Sequence, residues 1–220
     1  MTRRAATDDD MRLSRAQEVH DRWAYTLLVP SLWTRLPVDP VGSRAVVRRL
    51  LDERFAALPR DAVARLRHEA ERELRRSVEQ AVGIGAVELW LHTGLVRGLT
   101  LAASLTVTVV PGAGAEGLAG LVGTPADEVV STGLETVSDG QAVRRLKRTA
   151  AGDDPQAARG VLRDALPPAT VVEWVHPVPE SADLLLLTFA TTHAEPVREA
   201  LVALFDAVGA SLRWSRLGEA

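Results

Sequence analysis

Residues 170–190 have the sequence TVVEWVHPVPESADLLLLTFA, in which two apolar runs flank a proline-rich turn. The spacing predicts two strands, over residues 170–176 and 184–190. Four consecutive leucines at residues 184–187 are typical of a strand that is covered on both faces. A long amphipathic helix follows, with apolar residues at Val197, Leu201, Leu204, Phe205, Val208 and Leu212. A doubly covered strand beside a helix predicts a sheet that lies between two helical layers.

The rest of the chain alternates between helical and strand patterns. Residues 86–92 and 101–110 predict strands joined through Gly94 and Gly98, and the pair Asp139-Gly140 is typical of a second tight hairpin. Two helices are predicted earlier, within residues 43–55 and 61–78, each with one apolar stripe. We therefore predict an α+β fold: a mostly antiparallel sheet of about six or seven strands sandwiched between helices.

The N-terminal segment differs in character from the remainder. Residues 1–20 are polar and charged and show no periodic pattern, which predicts a mobile N-terminal arm. The predicted strands and helices follow it, and no internal repeat divides them. The sequence therefore predicts a single α/β sandwich domain over residues 21–216.

The composition excludes several classes of function. Hydrophobic residues make up 46% and charged residues 25% of the 220 residues, which is ordinary for a globular protein. The absence of cysteine removes disulfides, thiolate nucleophiles and thiolate metal sites. No apolar run has the length of a membrane helix, so we expect a cytoplasmic protein without a membrane partner. The net charge of −3 gives no reason to expect nucleic acid as a partner.

Residue usage also carries information about the source. Lysine occurs once, at position 147, whereas arginine occurs 25 times, and there is no asparagine. This bias follows codon usage better than any requirement of folding. We therefore expect a high-GC bacterium, specifically an actinobacterium, as the source.

A glycine-rich loop follows the strand predicted at residues 101–110. Gly112, Gly114 and Gly117 fit the G-x-G-x-x-G pattern of dinucleotide sites. That geometry requires a helix at the third glycine, and residues 118–125 form helices poorly. No alternating series of strands and helices surrounds the loop. A small-ligand or nucleotide site at residues 112–117 therefore stays an alternative to a simple flexible loop.

Two histidines form a second alternative. His92 and His176 are predicted on strands that could be neighbours, and with Glu88 or Glu173 they would form a metal site or an acid/base pair. Isolated histidines at strand ends are more often rim residues. No serine lies in a G-x-S-x-G motif, so a nucleophile elbow is absent. We expect neither a catalytic residue nor a cofactor.

Arginine and tryptophan together suggest a protein interface. The densest basic cluster is at residues 144–148, and strand alternation divides it between the two faces of a sheet. The tryptophans lie on or beside predicted edges, and interface hot spots favour tryptophan and arginine. We therefore predict an interaction surface made of Trp33, Arg145, Lys147, Trp174 and Trp214.

The order of these elements resembles a known superfamily. A strand, an edge segment from Pro30 to Trp33, a helical insert, antiparallel strands and a final strand-turn-strand-helix unit resemble the PsbP-like α/β/α sandwich. This superfamily includes PsbP, the Ran-binding Mog proteins and the LpqN-like lipoproteins. The chain departs from it in lacking the lipobox cysteine and in its long arginine-rich insert over residues 44–76. The resemblance implies a non-enzymatic adaptor.

Residues 174–179, with the sequence WVHPVP, resemble uncharacterised actinobacterial proteins associated with type VII secretion loci. That resemblance implies a link to a secretion locus. We therefore predict a non-enzymatic protein-binding or regulatory adaptor domain with an unidentified protein partner. Self-association into a homo-oligomer, through an edge strand or the arginine-rich helices, is part of this prediction. The alternative is a small-ligand-binding or enzymatic domain that uses residues 112–117 with His92 and His176.

Overall fold

The computed structural model describes residues 11–13, 17–20, 22–56, 59–114, 117, 118, 120, 129–148 and 168–217. Three helices are described: α1 (Pro40–Phe55), α2 (Arg60–Gly83) and α3 (Val197–Ala210). The strands are β1 (Met11–Leu13), β2 (Gln17–His20), β3 (Trp23–Thr26), β4 (Leu28–Pro30), β5 (Trp33–Leu36), β6 (Ala86–His92), β7 (Leu95–Val96), β8 (Leu99–Thr100), β9 (Ala103–Val110), β10 (Val129–Val137), β11 (Gly140–Arg148), β12 (Thr170–Pro177), β13 (Leu184–Thr191) and β14 (Arg213–Arg216).

A seven-stranded sheet forms the centre of the molecule, in the order β10-β11-β12-β13-β9-β6-β5. Each pair of neighbours in this sheet is antiparallel. Helices pack on both of its faces, because α3 contacts β12 and β13 while α2 contacts β6 and α1 contacts β5. This arrangement confirms the predicted α+β fold with an antiparallel sheet between helices.

The leucine run occupies the middle of the sheet. In β13 the side chains of Leu184, Leu185 and Leu187 are buried, and they point alternately to the two faces. Leu185 and Leu187 belong to the core under α3, whereas Leu184 packs with Val143 and Val175 on the opposite face. The four consecutive leucines therefore reflect a strand that is covered on both sides.

Helix α3 closes one face of the sheet. Leu201, Phe205 and Val208 are buried, and the Phe205 ring stacks on Phe189 with a centroid distance of 5.1 Å. Near its end the helix comes very close to the sheet, because a Cβ added at Gly209 would lie 2.4 Å from the Trp174 ring. Glycine is thus required there by close packing.

Helices α1 and α2 cover the other face at the β5–β6 end. They form a second core with Leu36, Val47, Leu51, Val78 and Leu89. Helix α1 begins at Pro40, three residues before the predicted start. Asp39 caps it by accepting hydrogen bonds from the backbone N–H groups of Val41 (3.0 Å) and Gly42 (2.6 Å).

Part of the predicted N-terminal arm is paired. Strand β1 pairs with β4, and β2 pairs with β3, which also pairs with the C-terminal strand β14. Residues 11–13 and 17–20 of the predicted arm over residues 1–20 are therefore strands, whereas its mobility stays a prediction. Residues 1–10 lie outside the described residues, so the boundary of the arm stays a prediction. Among the described helices, none combines the length and the apolar character needed to cross a bilayer.

Candidate interaction site

The tryptophans that the sequence placed on an interaction surface lie at different depths. Trp33 is 1% exposed and packs edge-on against Phe205, at a centroid distance of 6.2 Å. Trp174 is 4% exposed, and its indole N–H donates to Asp206 of α3 at 3.3 Å. Trp214 is partly buried, edge-on to Tyr25. Trp33 and Trp174 therefore hold α3 on the sheet and do not present a surface.

Three of the four basic residues at the end of β11 are paired with neighbouring carboxylates. Arg144 donates to both carboxylate oxygens of Asp206, at 2.7 and 2.8 Å. On the opposite face, Glu173 pairs with Lys147 (2.6 Å) and with Arg145 (3.7 Å). Strand alternation thus places Arg144 on one face and Arg145 and Lys147 on the other, as the sequence predicted. Arg145 is also buried, so it is not part of an exposed basic patch.

The glycine-rich loop is engaged with the turn between β12 and β13. The N–H of Gly112 donates to the Asp183 carboxylate (3.0 Å), and the N–H of Gly114 donates to the Ala182 carbonyl (2.6 Å). The N–H of Gly117 donates to Ala113 (2.8 Å). A phosphate cradle requires such backbone donors to be available, and none of these three is. The described strand pairs are moreover antiparallel, so the predicted nucleotide alternative at Gly112, Gly114 and Gly117 lacks its structural context.

His92 and His176 lie at opposite ends of the sheet. On β9, Ser104 pairs with Leu91, next to His92, whereas Val109 pairs with Leu185 of β13, which in turn pairs with His176. The two imidazoles therefore cannot share a metal ion or a proton. Among the described residues, no group of three or more histidine, aspartate or glutamate side chains could hold a metal ion.

Each of these histidines is instead a buried neutral residue. His176 is 1% exposed and stacks on Trp174 at 5.9 Å, and burial lowers its pKa to about 4. Burial also lowers the pKa of His92, and His193 acts in the same direction. The histidine close enough to influence His92 is thus His193, whose ring nitrogen accepts the N–H of Ala102 at 2.9 Å.

A third buried polar group lies on β6, in contact with Tyr25 of β3. Glu88 is fully buried, and its carboxylate accepts from Trp90 (2.8 Å) and pairs with Arg35 (3.1 Å). Burial raises the pKa of Glu88, and burial with the charge of Glu88 raises the pKa of Tyr25. Because these groups are enclosed by the core, they act on stability and do not form a reactive centre.

A large concave surface lies between α1, α2 and the β7–β8 hairpin. It encloses about 690 Å³. Its walls include Leu50 and Phe55 of α1, Ala70 and Leu74 of α2, and Leu95 and Thr100 of the hairpin. Leu50, Phe55, Ala70 and Leu74 also pack against the second core. The cavity is therefore the open end of that core, where apolar side chains meet solvent.

Two further cavities continue this surface along α2. One of about 330 Å³ shares Glu73 and Leu74 with the first, and one of about 290 Å³ shares Ser77 and Leu91 with the second and reaches Ile84. We call the three together the α2 trough. From Ala70 to Ile84, at 1.5 Å per helical residue, the trough is about 20 Å long.

The β7–β8 hairpin presents apolar side chains beside the trough. Leu95, Val96 and Leu99 are 54%, 37% and 62% exposed. Arg97 and Gly98 form the turn with φ of 50° and 80°, the left-handed pair that a two-residue hairpin favours. The fold of this chain therefore covers only part of these three apolar side chains, and the rest contacts solvent.

The hairpin is anchored at its base. The backbone N–H groups of Thr93 (3.0 Å) and Gly94 (3.2 Å) donate to the Leu32 carbonyl. A Cβ at Gly94 would lie 2.6 Å from the Leu32 side chain, so a larger residue would displace this junction. At the other end, Arg54 of α1 donates to the Thr100 hydroxyl.

The charges around the trough are unequal. Residues 44–79 contain ten arginines and seven acidic residues, a formal charge of +3. The acids at the rim are already paired within their helices, Glu53 with Arg49 and Glu73 with Arg76. Exposed pairs of this kind contribute at most about 1 kcal/mol. With these two arginines and Arg54, which lines the first cavity, the rim carries three arginines and two acids, a formal charge of +1.

Comparisons with known proteins find resemblance only at the level of structure. No protein-family model matches the chain, and no curated protein matches it significantly. One similar structure is the Saccharomyces cerevisiae Ran-binding protein Mog1p, with 11% identity, a TM-score of 0.42 and coverage of 86% of this chain and 89% of that chain. A mutant of protein Mog1 gives 10% identity, a TM-score of 0.43 and the same coverage. A likeness of this degree carries no inference about function. The resemblance to PsbP-like and LpqN-like proteins stays a prediction.

The α2 trough was not predicted from the sequence. The helices were recognised, and Gly94 and Gly98 marked a hairpin, but its apolar residues were not identified as a surface. The available signal was the segment LVRGLT at residues 95–100. Its apolar residues flank a tight turn, and the sequence predicts no third strand beside them. The depth of the trough depends on how α1 and α2 pack, which no local pattern contains.

Proposed function

We propose that this chain is a non-enzymatic protein-binding domain that acts as an adaptor, and that the α2 trough is its binding site. The observation that carries the proposal is an apolar trough about 20 Å long beside three exposed apolar residues of one hairpin. Contiguous exposed apolar surface of this kind is typical of sites that bind other macromolecules.

The length of the trough favours an extended or helical segment of a protein over a compact small molecule. The first cavity alone, at about 690 Å³, has the volume of a small-molecule site. The two adjoining cavities add room along α2 that such a ligand would leave empty. An amphipathic helix with apolar residues at i, i+4 and i+7 would cover roughly 10 Å along its axis, and a few more turns would fill the trough.

The charges around the trough favour an acidic partner. The rim carries a formal charge of +1, from Arg49, Arg54 and Arg76 against Glu53 and Glu73. The hairpin adds Arg97 at its exposed tip. We therefore propose a partner segment with an apolar stripe flanked by aspartate or glutamate, since complementary charge increases association rate and specificity. The suggested link to an actinobacterial secretion locus rests only on the resemblance of residues 174–179.

Selection from a random peptide display library tests this proposal without a known partner. The bait is the intact chain, and each selected peptide is counter-screened against Leu95→Lys and against Val82→Lys. Leu95 is 54% exposed and lines the first cavity, whereas Val82 is 45% exposed on α2 but does not line the trough, so it controls for an added lysine. Enriched peptides should carry spaced apolar residues with acidic flanks and should bind Val82→Lys but not Leu95→Lys. Peptides that bind both variants equally, or no enrichment, would count against the site.

A further inference from the structure

One long edge of the seven-stranded sheet, formed by β10, has no partner strand among the described residues. Strand β10 is the terminal strand of the sheet, and no described residue pairs with its outer side. It is nine residues long, with Glu135 as its single charged residue and no proline. The opposite edge strand, β5, has only four residues. Long, uncharged edges are sites where another strand pairs, and proteins usually shorten or charge them.

The two faces of β10 differ in character. Leu134 is 51% exposed and pairs with Val143, which is fully buried, so this face is apolar. On the other face, Gly133 pairs with Arg144 and Glu135 pairs with Ala142. Arg144 also donates to Ser131 of β10, at 3.3 Å. On one face, the edge therefore presents the apolar side chain of Leu134 next to Val143. On the other face, it presents the guanidinium of Arg144 beside Gly133, which has no side chain.

We propose that β10 is a homodimerisation edge, on which β10 of a second copy pairs antiparallel about a twofold axis through Leu134. The same surface is then used by both copies, as in isologous interfaces. This interaction is separate from the α2 trough and goes beyond the protein-binding function proposed above.

Pairing through Leu134 gives both faces a complementary neighbour. Leu134 meets Leu134 of the second copy, which extends the apolar row that starts at Val143. On the other face, Glu135 of the second copy lies opposite Gly133. Because glycine leaves space, that carboxylate lies within reach of Arg144, which flanks Gly133 on β11 and has N–H donors beyond those bonded to Asp206 and Ser131. Opposite charges in neighbouring strands stabilise a sheet.

Shifted registers are less favourable. An axis through Glu135 would place two carboxylates directly opposite each other, which destabilises a strand pair. An axis through Gly133 would place Leu134 opposite Thr132 and would break the apolar row. The bulge between Val129 and Ser131 further limits regular pairing to the part of β10 after it.

The mass in solution is the first test. Light scattering during size exclusion should give twice the monomer mass of 23.7 kDa for the wild-type chain. Leu134→Lys places two lysines opposite each other and should give the monomer mass. Leu66→Lys alters a leucine that is 57% exposed on α2, and it should leave the dimer intact. A wild-type monomer at every concentration would overturn the proposal, as would a dimer unaffected by Leu134→Lys.

Cysteine crosslinking then tests the register, because the chain has no native cysteine. Leu134→Cys should form a covalent dimer under mild oxidation, since the two thiols face each other across the axis. Thr132→Cys should not, because its two copies would be separated by about 13 Å along the strand. Cα atoms more than about 7 Å apart cannot be bridged. Crosslinking at residue 132 in place of residue 134 would overturn the proposed pairing.

Discussion

Arg54, in the last turn of α1, donates a hydrogen bond to the hydroxyl of Thr100, at the end of the β7–β8 hairpin. Both residues line the first cavity of the α2 trough. The contact joins a helix to a hairpin separated from it by 46 positions in the sequence. It therefore holds two walls of the trough at a fixed distance, although neither wall depends on it to fold.

Arg54→Ala should loosen the hairpin without unfolding the protein. The side chains involved are exposed, so the loss of global stability should stay below about 1 kcal/mol. Hydrogen exchange of the backbone of residues 95–100 should become faster, and trough-binding peptides should bind more weakly. Arg48→Ala, an exposed arginine on the same helix, should change neither quantity. Unchanged exchange in Arg54→Ala would show that the contact does not position the hairpin.

Two glycine-to-alanine substitutions in helices should have opposite effects. A Cβ at Gly209 would lie 2.4 Å from the Trp174 ring, so Gly209→Ala should destabilise the protein by about 1–3 kcal/mol through overpacking. At Gly83 no atom lies within 4 Å of the added Cβ, and helix propensity should stabilise Gly83→Ala by up to about 1 kcal/mol. Urea denaturation at neutral pH measures both changes. Equal effects at the two positions would contradict the close packing of α3.

His176 should make stability sensitive to acid. Burial lowers its pKa to about 4 from an ordinary value of 6.5, so the unfolded chain binds this proton more readily than the folded protein. The contribution of neutral His176 to the free energy of unfolding is complete above pH 6.5 and is lost as the pH falls through about 4. Its full size is on the order of 3 kcal/mol. A hydrogen bond to Gly209 and the charge of Asp139 oppose the shift.

His176→Phe keeps a ring against Trp174 but cannot bind a proton. The variant should be less stable than the wild type at neutral pH, because the hydrogen bond to Gly209 is lost, at a cost of about 1 kcal/mol. Its stability should fall less between pH 6.5 and 4, the window set by His176. Denaturation curves at several pH values measure the difference. Identical pH dependence in both proteins would assign the acid sensitivity to other groups.

Nucleotides should not stabilise this protein. The N–H groups of Gly112 and Gly114 are bonded to Asp183 and Ala182, so they cannot also cradle a phosphate. Millimolar ATP, GTP or NADH should leave the melting temperature unchanged, because only a ligand that binds the folded state shifts it. A melting temperature that rises with nucleotide concentration would instead indicate that residues 112–117 bind a ligand. Gly114→Val is a poor control, since φ of 53° at this position strains a β-branched residue.

The sheet could be predicted because its signals are local. Four leucines at residues 184–187 predict a doubly covered strand, and Asp139-Gly140 predicts the hairpin that joins β10 to β11. Their side chains follow the period of two that strands impose. Short turns join the neighbours β10–β11 and β12–β13, whereas the pairs β9–β13 and β5–β6 join distant segments, so the fold class but not the full strand order was accessible from the sequence.

The candidate site could not be predicted, because the burial of each side chain depends on packing between segments that are distant in the sequence. Trp33 and Trp174 have the composition of an interface, but both pack around α3 and are buried. Lys147 and Arg145 form a basic pair in the sequence, but Glu173 of the next strand neutralises them. Conversely, the apolar residues of β7 and β8 stay exposed only because the hairpin is too short to be covered.

Titration calorimetry of one selected peptide against three proteins tests the central claim most directly. The wild type and Val82→Lys should bind the peptide equally. Leu95→Lys, which adds a charge to the hairpin leucine that lines the first cavity, should bind it at least tenfold more weakly, a loss of about 1.4 kcal/mol or more. Equal affinity for all three proteins would place the peptide elsewhere, and the α2 trough would then not be the binding site.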